Sequence, residues 1–199
     1  MLKKVMMICL LMCMFVAPVR AAYVYEDGSV EDELYVNVHT DVVWTDYNSV
    51  HLELISRWNW GYYTIYRATS EDGKYHKVAE TSKEEITING LVTDKYYYFK
   101  IRAHNPYGYF ETPSVMVKPK LNNITAMYNA RGNISWDMVG GAHGYAVYRA
   151  KSGGTFKKIA TTKSNRYPTK KGYYYKVRAY RKVNGKYCYS NYSTIVKGQ

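Results

Sequence analysis

The chain has 199 residues, 28 Lys and Arg against 16 Asp and Glu, and three Cys, two of which lie in its first thirteen residues. Its length fits one large domain or two small ones. Too few cysteines are present for a disulfide-stapled scaffold, so hydrophobic burial has to hold the fold.

The chain opens on "MLKKVMMICLLMCMFVAPVRA": two lysines, an apolar run from Val5 to Val16, and small residues at Val19 and Ala21. That layout predicts a secretory signal peptide over 1–21, cleaved near Ala21 or Ala22. A membrane span would need about 20 apolar residues, and Pro18 and Arg20 end the run too early. Neither Cys9 nor Cys13 follows the small residue of a lipid-attachment box, and no second apolar span follows. The expected product is secreted and extracellular, free or associated with a cell surface. Cleavage removes Cys9 and Cys13 and leaves Cys188 without an intrachain partner. The lack of disulfides in an exported protein leans towards a bacterial origin. Residues 22–33, with "EDGSVEDE" from Glu26, carry carboxylates that could coordinate calcium; they read first as a flexible, solvated acidic segment.

Beyond residue 33 the chain repeats itself. "YYTIYRA" at Tyr62 matches "GYAVYRA" at Gly144, "GKYHKVAETS" at Gly73 matches "GTFKKIATTK" at Gly154, and "YYYFKIRA" at Tyr96 matches "YYYKVRA" at Tyr173. The offsets of 82, 81 and 76 keep their order, so two homologous units are expected, 34–118 and 119–199, joined near "KPKLNN". Within each, short β-branched and aromatic runs alternate between turn signals such as "EDGK", "NPYG", "SGG" and "VNGK", and no segment after the leader has a helical period. In the run from Tyr97, residues Tyr97, Phe99, Ile101 and Ala103 fall on one face and Tyr98, Lys100 and Arg102 on the other, the pattern of an antiparallel strand with one wet face. The "SRWNWGYY" run from Ser56 would expose Trp58 or Trp60 at a turn, for turn packing before sugar stacking. The predicted class is all-β, two tandem sandwiches.

Leu91, Tyr97-x-Phe99-x-Ile101-x-Ala103-x-Asn105-x-x-Gly108 and the late "TPS" at Thr112 resemble a fibronectin type III domain of the kind found in secreted bacterial surface proteins. The resemblance implies an immunoglobulin-like fold in which Leu91 and Tyr97 form the tyrosine corner. In the second unit "NISWDMVGGAHGYAVYRA" resembles the family's B and C strands, which makes Trp136 the core tryptophan, with Tyr145 and Val147 facing inward and Tyr173 structural at the start of the F strand. Leu54 stands where the first unit would carry Trp, and "RKVNGKYCYS" replaces the Asn-x-x-Gly hairpin in the second. "YSNYS" at Tyr189 resembles the Trp-Ser-x-Trp-Ser box of cytokine-receptor domains, which implies aromatics interleaved with F-strand cations to brace the sheet.

Charge separates the units. Residues 22–118 hold 15 acidic and 9 basic residues, whereas 119–199 hold 16 basic residues and one acid, Asp137. Such asymmetry points to a polyanion or a membrane surface, with docking of the acidic unit on the basic one as the plainer alternative. Nucleic acid ranks lower, since no recognition-helix or RNA-binding signature is present. On the outer face of the repeated strand, Tyr174, Lys176, Arg178 and Tyr180, with Tyr148 on the neighbouring strand and Arg181 and Lys182 beyond, are the candidate polyanion-binding residues. The same residues also serve simply to brace the sheet across strands. Catalysis has little support: His39, His51, His76, His104 and His143 are scattered, no metal-ligand spacing involves them or Cys188, and Asp137 has no carboxylate partner in its unit. No cofactor or metal is expected. Two functions remain: a secreted, non-catalytic binding or adhesion protein that engages an anionic envelope polymer or extracellular surface, and a structural spacer or assembly subunit that contacts proteins only.

Overall fold

The computed structural model describes residues 23–25, 30–31, 39–55 and 61–199; the expected leader, Trp58 and Trp60 lie outside the described residues. The first unit runs through β1 (Tyr23–Tyr25), β2 (Val30–Glu31), β3 (His39–Thr45), β4 (Val50–Ile55), β5 (Tyr62–Ala68), β6 (His76–Thr81), β7 (Glu85–Ile88), β8 (Tyr97–Asn105), β9 (Gly108–Glu111) and β10 (Val115–Val117). The second continues through β11 (Met127–Ala130), β12 (Asn133–Trp136), β13 (Gly144–Lys151), β14 (Lys157–Thr162), β15 (Arg166–Pro168), β16 (Tyr173–Val183), β17 (Lys186–Tyr189) and β18 (Val196–Lys197). All pairings are antiparallel, and no helix occurs among the described residues.

Each unit packs a three-stranded sheet against a longer one: β3-β4-β7 against β9-β8-β5-β6, and β11-β12-β15 against β17-β16-β13-β14. In both, the last strand returns to the long central strand, β10 to β8 and β18 to β16. This is the all-β class of two tandem sandwiches that the sequence predicted. Alternation produces it: Tyr97, Phe99, Ile101 and Ala103 are all buried while the residues between them are half-buried. Val50, Leu52, Leu54, Ile65, Phe99 and Ile101 fill the first core, and Ile134, Trp136, Tyr145, Val147, Tyr175 and Val177 the second. Leu54 takes a core place without the tryptophan, and Trp136 sits 1% exposed with its ring edge-on to Tyr145.

One expectation is corrected. Residues 22–33 are not a flexible tail throughout, because β1 and β2 pair with each other and β1 pairs with β9, Val24 opposite Tyr109. An outer strand offers unpaired backbone groups, and Tyr-Val-Tyr is a strong strand former. A tyrosine hydroxyl receives a turn amide in both units. In the first unit the Val92 amide donates to the Tyr97 hydroxyl at 2.9 Å beside buried Leu91. In the second the Lys170 amide donates at 2.8 Å to Tyr175, not Tyr173. The connection into β16 is five residues shorter, as the offset fall from 81 to 76 records, so the ring that reaches the turn is one inward position further along. Tyr173 is half-buried, with the Arg149 guanidinium 4.4 Å from its ring.

Candidate anion-binding face

Both long sheets carry cations on their outer face, set among aromatic rings. On the first, Lys100 lies over Tyr75 at 4.9 Å, and Arg102 lies between Tyr66 at 4.7 Å and Tyr109 at 4.6 Å. Between the two cations stands Glu111, whose carboxylate meets Lys100 at 3.3 Å and Arg102 at 2.7 Å. A carboxylate shared by two cations neutralises half of their charge, and it holds the Arg102 guanidinium above its ordinary range despite partial burial. Half of the cationic charge on this face is met from within the sheet.

The second sheet builds the same ladder with one part exchanged. Lys176 lies 4.7 Å from the Phe156 ring and 3.7 Å from Tyr192, and Arg178 lies 3.7 Å from Tyr189, 4.9 Å from Tyr192 and 5.2 Å from Tyr148. The ring of Tyr192 thus stands between Lys176 and Arg178 where the carboxylate of Glu111 stands between Lys100 and Arg102. Backbone bonding fixes the correspondence. Thr112 and Ser193 each bond the strand residue between the two cations, Ile101 at 2.9 and 3.1 Å and Val177 at 2.8 and 2.9 Å. Ser190 does the same for Ala179, so the serines of "YSNYS" tie its tyrosines down along β16. An aromatic ring attracts a cation by about 0.5–2 kcal/mol without cancelling its charge. Among the described residues no carboxylate pairs with any cation of 119–199.

The predicted site residues divide by environment. Lys176 and Arg178 are half-buried at the centre of the ladder, and Lys182 is exposed, 5.0 Å from the Tyr187 ring. Tyr174 and Tyr180 are half-buried, Tyr180 standing edge-on to Tyr187. Tyr148 has the outward parity but is only 8% exposed; its hydroxyl accepts from Arg178 Nε and Nη2 at 3.1 and 2.7 Å, and Tyr192 covers its ring. It holds Arg178 in place and presents no open face. Phe156 and Tyr187 were not among the sequence candidates. Phe156 matches Tyr75 at the offset of 81, and Tyr187 alternates with Tyr189 in "KYCYS", so the repeat already contained their signal.

Arg181 does not join this face. Its parity turns it to the opposite side of β16, where Nη1 donates to the Gly141 carbonyl at 2.7 Å and the guanidinium covers the ring of Tyr47, from the first unit, at 4.8 Å. His143 beside it receives the Lys182 amide on Nδ1 at 3.2 Å. Gly141 has φ +70°, and a Cβ there would stand 2.3 Å from the Tyr47 ring. Asn122 Nδ2 donates to Asp46 at 3.3 Å, and Lys118 pairs with Asp94 at 2.7 Å. Arg181 is a junction residue.

Elsewhere, His104 stacks on Tyr62 at 4.3 Å and contacts Thr64 Oγ1 at 3.1 Å; burial first, and then Arg102, push its pKa down. Burial raises the Cys188 thiol, with Asp94 adding to it. Among the described residues no three His, Cys, Asp or Glu side chains gather as metal ligands.

No protein-family model matches the chain, and no curated protein matches it. Among solved structures it is similar to a two-domain fibronectin type III segment of chicken tenascin, at 16% identity, covering 80% of this chain and 98% of that one with a TM-score of 0.44. It is also similar to domains FN1–FN3 of chicken CNTN1, at 16% identity, covering 79% and 64% with a TM-score of 0.34.

Proposed function

We propose that this chain is an exported, non-catalytic binding or adhesion protein whose second unit holds an anionic polymer of the cell envelope or extracellular surface. The observation that carries this reading is the ring of Tyr192 in the place of Glu111, which leaves Lys176 and Arg178 braced and, among the described residues, without a carboxylate partner. Bracing and binding are then the same device. The rings fix the cations in position before a ligand arrives, which lowers the ordering cost on association. The surplus of 16 basic residues over one acid adds a field that concentrates a polyanion at the unit.

The test is retention of the chain on immobilised heparin, used as a generic polyanion, through a salt gradient. Each cation in contact with a polyanion contributes about 0.7–0.9 to the log–log salt slope. Neutralising Lys176 and Arg178 to Gln and Met is expected to lower that slope by about 0.7–0.9 for each cation removed. Arg181→Met, whose cation is committed to the junction, is expected to leave it unchanged. No retention at low salt overturns the proposal.

A further inference from the structure

The two units treat the outer side of their long sheet differently. In the first, β1 covers β9, with Tyr23 opposite Phe110, Val24 opposite Tyr109 and Tyr25 opposite Gly108. In the second, among the described residues, no strand pairs with the outer side of β17. The two edges correspond: Tyr109 stands opposite His104, and Tyr189 stands opposite Tyr180, which is His104 moved by the repeat offset of 76.

The uncovered edge is also the longer one. Its ladder runs two residues further, to Val183 opposite Lys186, where the first stops at Asn105 opposite Gly108. Asn184 at φ 47° and Gly185 at φ 79° close it in the two-residue turn that suits a right-handed strand twist. The residues flanking such a turn bond each other, and alternation along an antiparallel ladder then directs the amide and carbonyl of Tyr187 and Tyr189 away from β16. Open backbone groups of this kind are templates for another strand.

We propose that β17 receives the N-terminal strand, Tyr23–Tyr25, of a second copy of this chain. The strand already lies on the equivalent edge of its own first unit, so its backbone suits such an edge. Electrostatics favour the transfer. The strand belongs to a segment with Glu26, Asp27, Glu31, Asp32 and Glu33 and no cation, and in its own unit it lies against the strand that carries Glu111. On β17 the same segment meets Lys186, in a unit with 16 basic residues and a single acid. The contact is head to tail, so successive copies extend a chain of molecules wherever the rotation between copies does not close it. It uses backbone groups at the sheet edge, and is therefore independent of polymer binding on the sheet face.

The register carried over from β9 sets Val24 opposite Tyr189 and Tyr25 opposite Cys188, which the structure leaves as a half-buried free thiol. The experiment uses the full chain with Cys9 and Cys13 replaced by Ser, mildly oxidised at low salt. Tyr25→Cys is expected to give a ladder of disulfide-linked oligomers. The ladder disappears with Cys188→Ser, and at 1 M salt, where the Debye length falls to about 3 Å. Val24→Cys, which the same register places opposite Tyr189 and not Cys188, is expected to cross-link weakly. Tyr187→Pro removes an amide that the β16 ladder does not use and is expected to abolish the oligomers without unfolding the unit. A Tyr25→Cys bridge to Cys188 confined to monomer overturns the proposal. So do equal cross-linking from Val24→Cys and oligomers that persist with Tyr187→Pro.

Discussion

Tyr192 and Glu111 occupy one position of a repeated ladder, and the choice between them sets what each sheet can do. Because the rings of Tyr189 and Tyr192 keep Lys176 and Arg178 in place, Tyr192→Phe is expected to leave polyanion retention close to wild type. Tyr192→Glu supplies the missing carboxylate and is expected to shift elution to lower salt. His104 offers an independent check at the same scale. Its folded pKa lies below the ordinary histidine value of 6.5, mainly through burial, so the unfolded chain binds a proton more readily than the fold does. Its contribution to stability is present above pH 6.5 and is lost as pH falls through 6.5 towards the depressed folded value. Thermal unfolding of the first unit should drop over that window, and less so in His104→Gln.

Among the elements, the strand and its alternation were legible in the sequence because burial has a period of two, and that period is written directly into "YYYFKIRA". Leu91, Tyr97 and Trp136 are buried, and the Tyr97 hydroxyl accepts from the Val92 amide. The corner of the second unit was not legible. A repeat alignment transfers positions, whereas the hydroxyl bond depends on how far a shortened turn reaches, so Tyr175 and not Tyr173 closes it. The candidate face was half legible for a similar reason. Parity marked Lys176 and Arg178 as outward, but parity alone could not reveal that Tyr148 is covered by Tyr192 or that Arg181 is spent on Tyr47. Removing either corner hydroxyl, Tyr97→Phe or Tyr175→Phe, leaves a backbone amide without its partner. Each is expected to cost about 1–3 kcal/mol, read by urea unfolding. Tyr173→Phe is expected to cost less than either.

At the scale of the whole molecule, an acidic unit and a basic unit meet through Tyr47, Gly141 and Arg181. Only a glycine admits the ring at that distance, and its φ of +70° would strain any other residue. Gly141→Val is therefore expected to free the units from one another, seen as a larger maximum dimension in small-angle X-ray scattering, while the first core melts close to its wild-type temperature and the second melts lower through the backbone strain at 141. A fixed junction matters for the account because it holds the ladder face of the second unit in a constant direction relative to the first.

The most direct measurement compares elution from heparin of the wild-type chain, Tyr192→Glu and Glu111→Tyr, with thermal unfolding as the control for folding. If the residue between the two cations decides whether a sheet binds, Tyr192→Glu elutes earlier, and Glu111→Tyr, which releases Lys100 and Arg102, elutes later than wild type. Identical elution of the three folded proteins would contradict the account.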